Sequence, residues 1–298
     1  MKHYTKPFKT HAEQVLLLKS RGLDIPDPGC AENVLASLNY YRFTGYALPF
    51  LRDREHFLSG VAFDDVLSVY RYDRALRDLL FEAVEAVELD FRTRLAYAFS
   101  RQCGALGYRD SRNFSSTFPH ADLLKGIDAE LDRSHEPCVA HFKTQYLPGE
   151  IPFWAVVEVL SFGTLVKFYR ALSVQGQQNV SVAYGIKWDI LGSYLWHLSV
   201  VRNLCAHHAR IYDRKFYNFR PLNEWRKMTP TISNTQSVFH QCALVYRLLR
   251  NVSKDCFDRD AWKRGVIDHF RSAPSFPCAD IAAIMGIPSN VDTSPLWV

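Results

Sequence analysis

The stretch Arg202-Asn203-Leu204-Cys205-Ala206-His207-His208 gathers an arginine, an amide and two histidines near the end of an apolar helical pattern. A guanidinium grips phosphate with a planar two-pronged fork, and an imidazole moves protons near neutral pH. Together these groups describe a metal-independent ribonuclease site. The spacing Arg-x4-His says little alone. With 24 arginines and 11 histidines in 298 residues, about one such pair arises by accident. The second occurrence, Arg264 with His269, has no amide after its arginine. The context of the first is what distinguishes it.

At about 100° per residue, Arg202 and His207 flank a shallow polar strip floored by Ser199 and Ala206, and Asn203 lies between them. The opposite arc holds Leu191, Tyr194, Leu198, Val201, Leu204 and Cys205, which must face a core. His208 falls on that arc beside Leu204 and Val201, so it reads as a core or supporting histidine. Trp196 and Val200 sit beside His207, and Leu195 sits near Arg202. Large apolar groups around a polar strip mark an interface. Phosphodiester cleavage benefits from two proton carriers and this helix offers one, so a twofold homodimer is expected to complete the site.

The elements that must position these groups are helical almost throughout, and the expected class is all-α. Thr10 opens a helix over 10–20 with Glu13 completing a capping box. A second helix is expected over 31–38, followed by the aromatic run Asn39-Tyr40-Tyr41-Arg42-Phe43-Thr44-Gly45-Tyr46. From Val61 to Cys103 there is neither Gly nor Pro, which predicts one long helix capped by Asp64. On it Glu85, Glu88 and Arg92 fall at i, i+3 and i+7 among apolar neighbours, as a supporting shell for the motif. A polar helix is expected over 122–134. Pro152 suits the first turn of a helix over 153–172. The motif helix is expected from Trp188 to Ile211, with further helices at 234–251 and 258–271. The expected division is an N-terminal helical segment 1–60, a helical bundle 61–229 carrying the motif, and a C-terminal helical extension 230–298. No strand pattern stands out.

Hydrophobic residues make up 48% and charged residues 22%, an ordinary soluble balance. No apolar run is long enough to span a membrane, and no apolar segment follows the N-terminal charges. A cytoplasmic protein is the expectation. The seven cysteines never fall at Cys-x2-Cys spacing, so neither a zinc ribbon nor a disulfide framework is indicated, and no cofactor is expected. Cys205, among apolar neighbours, reads as packing rather than as a nucleophile. The net charge of +5 fits a nucleic-acid partner without demanding one. After the motif, Arg210, Arg214, Lys215 and Arg220 alternate with Tyr212, Phe216, Tyr217 and Phe219. Basic groups beside aromatic platforms grip single-stranded RNA.

These residues resemble the HEPN superfamily, and the longer pattern resembles abortive-infection proteins of the AbiD/AbiF type. The resemblance runs over roughly residues 5–220. It is carried by Lys6-Pro7, Asn39 to Tyr46, Tyr72-Asp73-Arg74-Ala75-Leu76-Arg77, Glu85 with Arg92-Thr93-Arg94, Glu136 to Phe142, Leu160 to Leu165, and Arg202-Asn203 through Phe216. It implies a HEPN-like helical bundle and an RNase used in antiphage defence. By position it makes Arg202 and His207 the catalytic pair and Asn203 their polar member. The expected reading is an endoribonuclease acting on RNA at a composite homodimer site. Three rivals stand beside it: a non-catalytic RNA-binding scaffold, a toxin subunit governed by an antitoxin protein or small RNA, and a DNA-binding regulator, the last without a clear helix-turn-helix.

Overall fold

A computed structural model describes residues 3, 5, 7–228 and 234–297. Lys6 and the expected boundary at 229/230 lie outside the described residues. The chain is all-α, apart from one ladder of two two-residue strands among the described residues. Its axis is α4, Phe63–Cys103, whose 41 residues span about 60 Å. Leu76, Leu80, Val84, Val87, Phe91 and Leu95 lie on its buried stripe, fully shielded from solvent. This is the recurrence at three and four residues that the sequence carries.

Before α4 come α1 (His11–Ser20), α2 (Pro28–Leu38) and α3 (Tyr40–Tyr46). The Thr10–Glu13 capping box forms as expected, with reciprocal bonds of 3.2 and 2.7 Å. α2 starts earlier than expected, because Asp27 caps it and Pro28 takes its first turn. The aromatic run is itself α3, capped by Asn39. At the start of α4, Asp65 and not Asp64 closes the cap, accepting from the Ala62 N–H at 2.8 Å. Asp64 points outward and pairs with Arg71.

After α4 follow α5 (His120–Arg133), α6 (Pro137–Gln145), α7 (Phe153–Val159), α8 (Phe162–Ala171), α9 (Val174–Ser181) and α10 (Trp188–Ala206). The helix expected over 153–172 is two helices, and Pro152 is the cap of the first rather than its first residue. Leu160 is extended, and Ser161 caps α8 by accepting from the Thr164 N–H. Two tertiary partners hold the break. Glu130 on α5 accepts from the Ser161 N–H at 2.7 Å. Arg92 on α4 donates to the carbonyls of Val157 and Leu160 at the end of α7, adding to the Leu160 N–H that Val157 already accepts.

The C-terminal elements are α11 (Asn223–Met228), α12 (Val238–Leu248), α13 (Arg259–Arg271), the ladder β1 (Ser275–Phe276) with β2 (Ala279–Asp280), and α14 (Ile281–Met285). α12 and α13 pack on α4. Trp262 donates to the Leu79 carbonyl, and Tyr72 stacks on His269 with centroids 4.0 Å apart. The buried apolar residues form one cluster reaching from Val15 to Trp297.

Candidate functional site

α10 packs between α4, α8 and α9, and its core arc is the expected one. Leu191, Tyr194, Leu198, Val201 and Cys205 are buried, and Leu204 is partly so. Leu195, expected beside the site, is fully buried as well. Burial pushes the Cys205 thiol up to about 12, where no useful thiolate exists.

The helix stops at Ala206, five residues short of the expected Ile211. Three backbone bonds close it: His207 N–H to Asn203 O, His208 N–H to Cys205 O, and Ala209 N–H to Leu204 O. This is a Schellman ending, with His208 in the left-handed position that glycine ordinarily fills (φ +54°). His208 is therefore exposed, not part of the core. The sequence misleads here because neither Gly nor Pro announces the stop. Arg42 of α3 donates to the His208 carbonyl and helps pin the turn. His208→Gly is expected to raise stability by about 1 kcal/mol, since it removes a non-glycine left-handed residue. Thermal melting checks this, and a fall of several degrees would instead mean that the imidazole has a packing role.

Arg202, Asn203 and His207 all reach solvent at this end of α10. Arg202 is 35% exposed and its Nε lies 3.4 Å from Glu88 Oε2, while Glu88 is only 10% exposed. The other Glu88 oxygen accepts from Arg92 at 2.9 Å. A chain of charge thus runs from Arg202 through Glu88 to Arg92 and on to the α7 carbonyls. Of the expected supporting residues, Glu88 and Arg92 stand behind Arg202. Glu85 does not: it is exposed and lines a separate groove with Glu82 and Val252.

Arg202, Glu88 and Arg92 line an open groove of about 720 Å³. The turn between α5 and α6 brings Arg133 and His135 to the same groove. The sequence offers no spacing that joins His135 to Arg202, because only the packing of α5 against α7 and α8 brings them near.

The segment expected to hold RNA is divided. Tyr212 is fully buried and stacks on Tyr46, so it offers no platform. Arg210 is committed to the Gly45 carbonyl and to Asp213 at 2.9 Å. Arg214, Lys215 and Arg220 are exposed. The aromatic group that is available is Tyr217, 66% exposed and 5.4 Å from the Trp196 ring. Trp196 and Val200 are half-buried.

Asp73 explains the division. It is fully buried and accepts from the Tyr46 hydroxyl at 2.6 Å, from the Ile211 and Tyr212 N–H groups at 3.2 and 2.8 Å, and from Arg77. Arg77 also donates to the Ala209 carbonyl. The chain leaving the motif turn is therefore tied to α4.

Among the described residues, no helix is long and apolar enough to cross a membrane. No curated protein and no solved structure matches the chain. A family model described as "Abi-like protein" matches residues 33–213, more than half of the chain, from within α2 to just past the motif turn and narrower at both ends than the resemblance read from sequence. The chain belongs to the Abi-like protein family, and that membership implies a part in abortive-infection defence against phage.

Proposed function

We propose that this protein is a HEPN-type, metal-independent endoribonuclease. The observation that carries the reading is the exposed end of α10. There Arg202 is half-exposed and Asn203 and His207 are exposed, within six residues of one another, with Arg202 braced from behind by a nearly buried carboxylate. An arginine held this way is oriented before substrate arrives, which is where electrostatic stabilisation of a transition state gains most.

In the proposed step the substrate's 2′-oxygen attacks the adjacent phosphorus and the bond to the 5′-oxygen breaks. His207 takes the 2′-hydroxyl proton, and a second acid gives a proton to the departing 5′-oxygen. The products are a 2′,3′-cyclic phosphate and a 5′-hydroxyl. Arg202 binds the phosphoryl oxygens as charge builds on them, and Asn203 orients the ribose or the imidazole. Arg214, Lys215, Arg220 and Tyr217 offer a path for the strand.

The second proton carrier is assigned to His207 of a second copy, with Trp196 and Val200 in the contact. Val200→Glu is expected to give a monomer in sedimentation and to abolish cleavage. A monomer with full specific activity would contradict the composite site. If that monomer then lost activity on His135→Ala, the second proton would belong to His135 in the same groove. The whole reading is tested by mapping new RNA 5′ ends in cells after inducing wild type and His207→Ala. Ends that appear only with wild type support it, and identical maps would refute it.

A further inference from the structure

A second cavity lies against the motif turn and shares no lining residue with the Arg202 groove. Its volume is about 580 Å³, within the range of small-ligand pockets, about 300–1,000 Å³. His208 lines it from the turn, Arg42 from α3, and Tyr70, Arg74, Asp78 and Phe81 from α4.

The charges in this cavity are unequal. Arg77, which also reaches it, is neutralised by Asp73. Arg42 spends one N–H on the His208 carbonyl and keeps the rest of its fork. Arg74 is exposed and has no ion-pair or hydrogen-bond partner among the described residues. Against these stands one carboxylate in the lining, Asp78, also exposed. Beside the arginines lies aromatic surface. Phe81 is 37% exposed although it sits on the helix that organises the core, and Tyr70 is held edge-on against Tyr46 at 5.4 Å. Guanidiniums next to an open ring match a phosphate joined to a flat base. The left-handed His208 adds strain at the rim, of the kind that collects where a ligand is held.

We propose that this cavity binds one nucleotide of a single-stranded RNA. Arg42 and Arg74 hold its phosphate, Phe81 takes the face of its base, and His208 donates a hydrogen bond at the rim. The proposal rests on RNA being the ligand, as in the reading above, and not on the RNA being cut. A free mononucleotide carries the same chemistry, and the test separates the two.

The probe is a short fluorescent 2′-O-methyl RNA, which lacks the nucleophile and stays intact, titrated by anisotropy at several salt concentrations. Arg42→Ala with Arg74→Ala is expected to weaken binding at least tenfold. It should also flatten the slope of log affinity against log salt by about 0.7 for each phosphate that is no longer neutralised. Phe81→Ala should weaken binding about tenfold by removing the stacking surface. Asp78→Asn should tighten it about threefold, a gain that damage to the fold cannot imitate. Because Arg42 also braces the turn, Arg74→Ala alone carries the claim if the double variant melts early. Unchanged affinity and slope in Arg74→Ala, with Asp78→Asn neutral, would overturn the proposal. So would adenosine monophosphate competing as strongly as the RNA. If these variants behave as expected and the wild type cuts no RNA, the cavity stands and the nuclease reading falls. If RNA is cut and the variants are neutral, the reverse holds.

Discussion

His207→Ala is expected to lower RNA cleavage by about 10²–10⁴-fold, the usual contribution of a positioned acid–base group. The melting temperature should stay where it is. The two halves of that result have separate causes. The imidazole sits at the exposed end of α10 with no hydrogen bond or ion pair to its side chain among the described residues. Its removal therefore leaves the fold within about 0.5 kcal/mol of wild type, as for other surface changes. Its backbone N–H, which closes the helix on Asn203, is kept by alanine. Arg202→Ala should match the catalytic loss but cost a little stability, because Glu88 then keeps only Arg92. Gel assays on the purified variants, each with a thermal melt, check both. Cleavage within threefold of wild type in His207→Ala would remove His207 from the chemistry.

Asp73→Ala should be the most destabilising single change near the site, by about 3–5 kcal/mol. It strands the Arg77 guanidinium in the interior and leaves the Ile211 and Tyr212 N–H groups and the Tyr46 hydroxyl without their acceptor. Losing one partner of a buried pair costs far more than the pair contributes by existing, because the remaining charge has neither water nor a counter-ion. Replacing both, as in Asp73→Leu with Arg77→Met, should recover only the part due to the stranded charge, since the Ile211 and Tyr212 N–H groups still lack their acceptor. Urea denaturation of the three proteins measures this. A loss below about 1 kcal/mol in Asp73→Ala would show that the network does not hold the chain after the motif turn.

The sequence was most readable where one local signal decides the structure. The Gly- and Pro-free run fixes α4, the Thr10–Glu13 spacing fixes the start of α1, and the alternating arcs of α10 place its core face. It was unreadable where a distant residue decides. Between Pro152 and Leu172 the local signal for the break is only the capping Ser161 with Gly163 behind it; Arg92 and Glu130 hold the break from α4 and α5. Tyr212 looks like a stacking platform beside basic neighbours, yet Asp73 draws its backbone inward and buries the ring. His208 misled for a third reason. A helical wheel assumes that the helix continues, and here it ends at Ala206 with His207 as its cap, without the glycine that would reveal it. The exposure of Asn203 and His207 and the half-exposure of Arg202 follow from position alone, Arg202 and Asn203 lying within the last turn and a half of α10 and His207 being its cap.

The central claim is the chemistry assigned to Arg202 and His207, and the most direct measurement is the identity of the ends that cleavage leaves. RNA cut by the purified protein in EDTA should carry 2′,3′-cyclic phosphates and 5′-hydroxyls, and a DNA copy of the same strand should remain whole. A strict Mg²⁺ requirement with 5′-phosphate products would contradict the account, because the nucleophile would then not be the substrate's own 2′-hydroxyl.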